Sequence, residues 1–471
     1  MSREKTHNPW TVLSVMLVGA FMALLDVTIV NVALPDIQSE LGVSNSTLEW
    51  IISAYALAFG LVLIPAGRFG DNYGHKMTFL AGLIVFTLAS LGSGLSHGDW
   101  QIIAARAVQG IGAGIFVPAI RSAIRLLFGR NDQAKAFSVL GAVIGASSAL
   151  GPLFGGVLVE YAGWRWVFFV NVPVGLVLFP LAWRWLPSIR EPGPRHSFDP
   201  VGIALLTAGL VLLLFPLVEG QSVGWPAWTW VALAGSAAAF AALWFWERRQ
   251  EESGVEPIVP PRLLSVRSFG AGTVLAASYF GAFTSIFFVF SLLWQQGLSK
   301  SPLVTGLTIV PFALASMVTS SISHKLSAKL GRNVLFWGSG LVTLGLTGYL
   351  LALHVAGPAI DHWLLLGPFV VAGAGNGLFI APNQDFVIAS TERGQAGTAS
   401  GVLSTAQRIG SAIGIAGVGT VFFGTLAVHG GGGPSAFVRS AATATSLNIG
   451  LVILTFLLVF TLPNKKRSRA R

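Results

Sequence analysis

Cysteine is absent from the 471 residues, which excludes disulfides, thiolate nucleophiles and cysteine-ligated metals. Charge is scarce too: Asp, Glu, Lys and Arg make up 10% of the chain, against about 25% in an ordinary soluble domain. A soluble fold of this length could not wet its surface with so few charges. No phosphate-binding glycine loop and no HExxH pair occurs, so direct use of ATP and zinc hydrolysis have no support. No enzymatic chemistry, metal or cofactor is expected.

What is there is apolar. Hydrophobic residues reach 53%, mean hydropathy is +0.72, and there are 56 glycines and 32 phenylalanines. Glycine is frequent in membrane-spanning helices because small residues let helix backbones approach. A bilayer core takes about 20 apolar residues per helix. Runs of that kind are expected at 11–33, 50–70, 77–96, 101–127, 136–160, 166–186, 200–219, 226–246, 268–294, 303–323, 333–355, 363–388, 396–424 and 441–461. The reading is an all-α, polytopic membrane protein of fourteen helices. Its first run carries Asp26 and Asn31 and lacks a small-residue cleavage signal, so it reads as a retained helix.

The net charge of +10 would suggest nucleic acid in a soluble protein, but no basic stripe lies along a polar helix, and no nucleic-acid partner is expected. The cations instead sort by side. With the N-terminus inside, Arg3, Lys5, Lys76, Arg130, Lys135, Arg190, Arg195, Arg248, Arg249, Arg262, Lys325, Lys329, Arg332, Arg393 and the tail from Lys465 to Arg471 fall near cytoplasmic ends. Arg106, Arg165, Lys300 and Arg439 fall toward the other side. This asymmetry predicts a multi-pass protein of the cytoplasmic membrane with both termini cytoplasmic. Its immediate partner is the lipid bilayer.

An internal repeat organises the chain. GRFGDNYGHK at 67–76 and HKLSAKLGRN at 324–333 each place a glycine eight residues into a short charged connection, and the same offset of 257 carries residue 11 onto residue 268. Three parts are expected: an N-terminal six-helix bundle over 1–187, polar linkers with a two-helix insert over 188–262, and a C-terminal six-helix bundle with a basic tail over 263–471. Weak internal symmetry of this kind is expected of secondary transporters that rock two bundles around a central site.

Polar groups inside hydrocarbon point to function. Asp26 lies in FMALLDVTIVNVALP, where an ionised carboxylate is expensive unless paired or facing a cavity. A carboxyl that alternates between dry and ion-paired surroundings can load and release a proton; a carboxylate that merely locks two helices is the other reading. Arg106 lies at a compatible depth as a partner, or reaches to headgroups, and Gln109 shares its face three residues on. Asn31 either joins the Asp26 cluster or caps hydrogen bonds near the helix end, and Pro35 is expected to end that helix. In the connection 67–76, Gly67, Arg68, Asp71, Gly74 and Lys76 form either a gate latch or a solvated turn. In 141–156, Gly151, Pro152, Gly155 and Gly156 predict a narrow, kinked helix, serving as a seal or as general packing. Arg121, Asp385 and Arg408, near cytoplasmic ends, are a possible cytoplasmic gate or simple topology charges.

In combination, LDVTIVNVALP at 25–35, GRFGDNYGHK at 67–76, RAVQGIGAG at 106–114, and GASSALGPLFGG at 145–156 followed by GWRWVFFVNVPVG at 163–175 resemble the major facilitator superfamily, specifically its fourteen-helix drug/proton antiporters. The resemblance implies that Asp26 is protonated in turnover, that Gly67, Asp71, Gly74 and Lys76 form a cytoplasmic gate motif, that Arg106 and Gly110 match a fourth-helix motif, and that Gly151, Pro152, Gly155 and Gly156 match an antiporter motif. Asn72 and His75 depart from the basic residues usual in the gate motif. The implied activity is efflux of amphipathic or cationic drugs by a functional monomer driven by a proton gradient. A dedicated exporter of one endogenous metabolite, antibiotic, peptide or lipid, a proton symporter, and a non-transporting sensor or scaffold are the alternatives.

Overall fold

The computed structural model describes residues 8–188, 199–220, 223–255, 257–258, 261–389, 396–430 and 432–462. Among these residues the chain is helical throughout, without strands. The first set of helices is α1 (Pro9–Leu41), α2 (Asn45–Tyr73), α3 (His75–Gly94), α4 (Asp99–Leu127), α5 (Arg130–Ala162), the single turn α6 (Trp166–Phe169) and α7 (Asn171–Trp185). Two helices follow, α8 (Pro200–Glu219) and α9 (Ala227–Glu252). After the short α10 (Pro261–Ser265) comes the second set: α11 (Arg267–Leu292), prolonged by a π turn over Leu293–Gly297, α12 (Pro302–Leu330), α13 (Asn333–Ala356), α14 (His362–Ala389), α15 (Ala396–Val428) and α16 (Pro434–Val459). Thirteen stretches among the described residues are long and apolar enough to cross a membrane. The fourteenth expected crossing is α5, a 33-residue helix whose described apolar part is Leu150–Ala162.

Local chemistry sets the ends. Asn8 caps α1 by accepting from Trp10 N at 2.9 Å, with Pro9 in the first turn, where its missing N–H costs nothing. Ser44 caps α2 through Thr47 N, and Ser301 with Pro302 starts α12 in the same way. Contrary to the sequence expectation, Pro35 does not end α1; the helix runs on to Leu41 and stops at Gly42, which has φ 64°. A proline inside a helix removes only the one backbone bond to the carbonyl four residues before it, here Asn31 O, a loss that the rest of α1 carries. In the next position Gln295 Nε2 of the other bundle donates to Val32 O at 2.8 Å. The single helix expected over 166–186 is broken at Val170: Pro173 has no N–H to offer the carbonyl of Phe169, and the chain bends there.

The expected loop 67–76 is mostly helix. Helix α2 continues to Tyr73, and Gly74 alone turns the chain into α3, at φ 106° and with its N–H on Gly70 O at 2.8 Å. Gly331, its counterpart at the offset of 257, turns α12 into α13 at φ 59°. A side chain rarely tolerates such angles, so glycine occupies both corners.

We call the surface where α1 begins the near face and the one where it ends the far face. In the first set α4 packs on α2 and α3, and α1 on α5; in the second, α11 packs on α15 and α12 and α13 on α14. The two six-helix bundles meet along two seams, α2 with α15 and α5 with α12. The insert helices α8 and α9 pair with one another, and α8 lies over the first seam, where Leu206, Leu210, Leu214 and Val218 share a buried cluster with Ala56 and Leu57 of α2 and Ala412 and Ala416 of α15.

Candidate functional site

Helix α4 approaches α2 and α3 unusually closely because its core face is small. Gly110 lies against Tyr55 O, and a Cβ on Gly82 would sit 2.8 Å from Gly112 O. This proximity draws three helices around the first-helix carboxylate. Asp26 is 1% exposed and Arg106 equally so. Arg106 Nη1 donates to Asp26 Oδ2 at 2.5 Å and to Gln109 Oε1 at 2.7 Å, and Nε donates to Ile51 O at 3.0 Å. Gln109 Nε2 donates to Asp26 Oδ1 at 2.9 Å and to Ser90 Oγ at 3.2 Å. Asn171 Nδ2 reaches Ser90 Oγ at 3.0 Å and Asp26 Oδ1 at 3.4 Å, and Ser90 Oγ donates to Phe168 O at 2.9 Å. The Tyr55 ring lies 4.3 Å beneath the guanidinium carbon and that of Phe168 lies 5.7 Å away. The pair is therefore wrapped by hydrogen bonds and aromatic faces, the conditions under which a buried ion pair is tolerated.

Asn31 does not join this network. Its Nδ2 bonds back to Val27 O at 3.2 Å, and its side chain faces a cavity between the bundles. Thr28, Asn31 and Val32 of α1, Pro152 of α5, Phe283, Phe287 and Ser291 of α11, Ile309, Phe312, Ala313 and Ser316 of α12, and Asn376 of α14 line it. The lining holds rings, hydroxyls and amides and no ionisable side chain. Tyr279 Oη donates to Asn376 Oδ1 at 2.6 Å, and Asn376 Nδ2 donates to Ser316 Oγ at 2.7 Å, which fixes the amide at the wall. Asn31 Oδ1 is buried without a partner and is an acceptor available to a bound molecule.

The glycines of α5 serve both sides of this cavity. Gly151 abuts Thr28, and a Cβ on Gly155 would lie 2.9 Å from Ile29 O, so this row packs on α1. Gly156 faces the other bundle, where its Cβ would be 2.8 Å from Pro302 O, and the Pro152 carbonyl abuts Gly306 of α12. The far side is also joined by Gln296 Nε2 donating to Gln38 Oε1 at 2.6 Å.

Other expected groups lie apart. Arg68 is buried and donates through Nη2 to Pro257 O at 2.6 Å, tying the corner before α3 to the chain segment after the insert. Lys76 Nζ sits 5.6 Å from the Trp183 ring, and Gly67 has open space around it. The Asp71 side chain lies outside the described residues. Arg121 Nη1 donates to Ser400 Oγ at 2.6 Å and Ser404 Oγ at 2.9 Å across the bundles. The Arg408 guanidinium lies 4.4 Å over Phe59. Asp385 is exposed near the end of α14. One string, GLSHG at 94–98, has the spacing of a hydrolase nucleophile elbow, but it joins α3 to α4 and Ser96 Oγ donates back to Gly92 O at 2.9 Å, without the strand such an elbow requires.

A cavity between two related sets of membrane-length helices is an arrangement suited to a carrier. Comparison with known proteins agrees. The family model described as Major Facilitator Superfamily matches residues 16–201 and 199–415. A probable actinorhodin transporter of Streptomyces coelicolor is 36% identical over 88% of this chain and 73% of its own length. The puromycin resistance protein of Streptomyces alboniger is 33% identical over 98% and 92%. A solved auto-inhibited peptide transporter of the POT family superposes with a TM-score of 0.72 at 14% identity, covering 98% of this chain and 99% of that one, a likeness of fold. The chain belongs to the major facilitator superfamily.

Proposed function

We propose that the protein exports amphipathic drugs or antibiotics across the cytoplasmic membrane in exchange for protons, as a monomer with its near face cytoplasmic. The observation that carries this reading is the two-faced character of α1. Thr28, Asn31 and Val32 border the cavity, while Asp26, two residues and about 200° from Thr28, enters the sealed network. One helix thereby touches both the substrate space and the carboxyl, so a change of protonation at Asp26 that shifts α1 also changes the cavity wall. The reciprocal follows from linkage: a bound drug that favours one position of α1 alters the proton affinity of Asp26.

The cavity chemistry favours substrates with an aromatic or otherwise apolar body. Phe283, Phe287 and Phe312 offer ring faces, which also accommodate a weakly basic group by cation–π attraction. Two relatives are named for transport of, or resistance to, an antibiotic, which supports the choice of substrate class. The two bundles are the bodies that rock, and the glycine row of α5 is the far-side seal. Arg68, with Asp71, Gly74 and Lys76, and the Arg121–serine contact act at the cytoplasmic gate.

The test is flux in proteoliposomes with an imposed pH gradient, across a panel of aromatic antibiotics and competing metabolites. Wild-type protein is expected to move drug against proton flow, and Asp26→Asn to insert normally and lose gradient-driven flux. Drug-dependent proton exchange persisting at the wild-type rate in Asp26→Asn would refute the assignment. Competition by a single metabolite alone would replace the broad exporter with a dedicated one.

A further inference from the structure

Close to the far face, α2 and α15 meet around a carboxylate that no cation among the described residues neutralises. Glu49 is 2% exposed, and its Oε2 has no hydrogen-bond partner. Opposite it stands Gly419 of α15, where a Cβ would lie 2.5 Å from Glu49 Cδ and Oε1. Any larger residue at 419 would displace the carboxyl, so the two positions fit as a pair.

The ionisable groups of the surrounding helices do not compensate the charge. From α8, Glu219 is another carboxylate and accepts from Trp50 Nε1 at 3.0 Å. From α4, Asp99 accepts from Thr47 Oγ1 at 2.5 Å, and Arg106 is committed to Asp26 and Ile51 O. From α1, Asp36 is acidic and Glu40 pairs with Arg165. From α15, Arg408 lies eleven residues before Gly419, about 16 Å along the axis, with its guanidinium over Phe59. Helix α3 has no ionisable residue in its far half.

An unpaired carboxylate out of water costs several kcal/mol even after relaxation, roughly the scale that separates the two protonation states by orders of magnitude. The seam joins the two bundles, and α8 is bonded to both of its sides, to α2 through Trp50 and Glu219 and to α15 through Thr420 Oγ1 donating to Leu217 O at 2.6 Å. Parting α15 from α2 admits water to Glu49 and favours the carboxylate, with its proton passing to that water.

We propose that Glu49 is a second proton-binding carboxyl, separate from the Asp26 network, which keeps its proton while the α2–α15 seam is shut and releases it when the seam opens. The proposal rests on the proton-coupled reading above and adds to it a titrating group on the far side of the substrate cavity. Closure and protonation are then reciprocally linked, so rising pH opens the seam.

Because the chain has no cysteine of its own, Asn45→Cys with Val428→Cys gives a clean pair of spin labels at exposed ends of α2 and α15. With full-length protein in lipid nanodiscs, the interspin distance is expected to lengthen through one pH midpoint. Glu49→Gln is expected to abolish that midpoint and stay short, Glu49→Asp to retain it at a shifted pH, and Asp26→Asn to leave it in place. Infrared difference spectra between low and high pH supply a second readout: a protonated-carboxyl band that Glu49→Gln loses and Asp26→Asn keeps. A wild-type distance that does not change with pH, or a Glu49→Gln variant with the wild-type midpoint or the wild-type band, overturns the proposal. Absence of proton-driven flux in the wild-type protein instead defeats the transport reading, while the distance and the infrared band still decide whether Glu49 titrates.

Discussion

Replacing Asp26 by Asn tests the buried network through stability as well as transport. The amide keeps an acceptor for Gln109 Nε2 but sets an N–H₂ against Arg106 Nη1, which now bonds Asp26 Oδ2 at 2.5 Å. The guanidinium remains buried with its charge uncompensated. Breaking one partner of a buried pair costs about 3–5 kcal/mol. The bond to Ile51 O and the Tyr55 ring survive, which places the expected loss near the lower end, about 3 kcal/mol. That is roughly a hundredfold in the unfolding equilibrium. Reversible unfolding in mixed detergent micelles, followed by circular dichroism, measures it. Adding Arg106→Met removes the stranded charge and is expected to recover most of the stability while leaving gradient-driven efflux dead. If Asp26→Asn unfolded within about 0.5 kcal/mol of wild type, against the cost expected for a sealed ion pair, or if the double variant were no more stable than the single, Asp26 and Arg106 would not be a charged, sealed pair.

Further outcomes follow from the geometry. Gly74→Ala forces a side chain into a backbone conformation at φ 106° and is expected to cost about 1–3 kcal/mol in the same unfolding assay. Gly156→Leu drives a side chain into the Pro302 backbone and is expected to abolish efflux while the protein still inserts, as transport in vesicles beside a membrane-fraction measurement would show. Phe312→Ala removes a ring from the cavity wall and is expected to weaken binding of an aromatic drug by about 0.5–1.5 kcal/mol beyond the area lost, read as a raised KM with gradient coupling intact. Ser400→Ala with Ser404→Ala strips Arg121 of both hydroxyl partners and is expected to change the labelling rate of a single cysteine introduced at the near face without altering overall stability by more than about 1–3 kcal/mol.

Much of this was legible in the sequence because hydrocarbon punishes polarity. Runs of apolar residues announced the crossings, and Asp26 and Arg106 stood out as charges within them. Their contact did not, since the order of helices along a chain does not say which ones touch. Ser90, Asn171 and Tyr55 complete the network, yet a serine, an amide and a phenol are common in such helices, and only Asn171 fell within a motif that drew attention. Asn31 shared a helix with Asp26 but turned to the cavity, a difference of face that periodicity could have raised but that only packing decides. Glu49 was hidden by a boundary: with α2 expected from residue 50 it lay outside the membrane, whereas the Ser44 cap starts the helix at Asn45 and draws the carboxyl inside.

The insert also makes the two sides of the carrier unequal toward lipid. Helix α8 roofs the groove between α2 and α15, and α9 stands outside it, so hydrocarbon chains are kept from that line of contact. Among the described residues the groove between α5 and α12 has no such cover, and Pro152 and Ile309 connect it to the cavity wall. Lipid chains therefore bear directly on one seam between the bundles and not on the other, so the bilayer can press on the α5–α12 contact while α8 shields its counterpart.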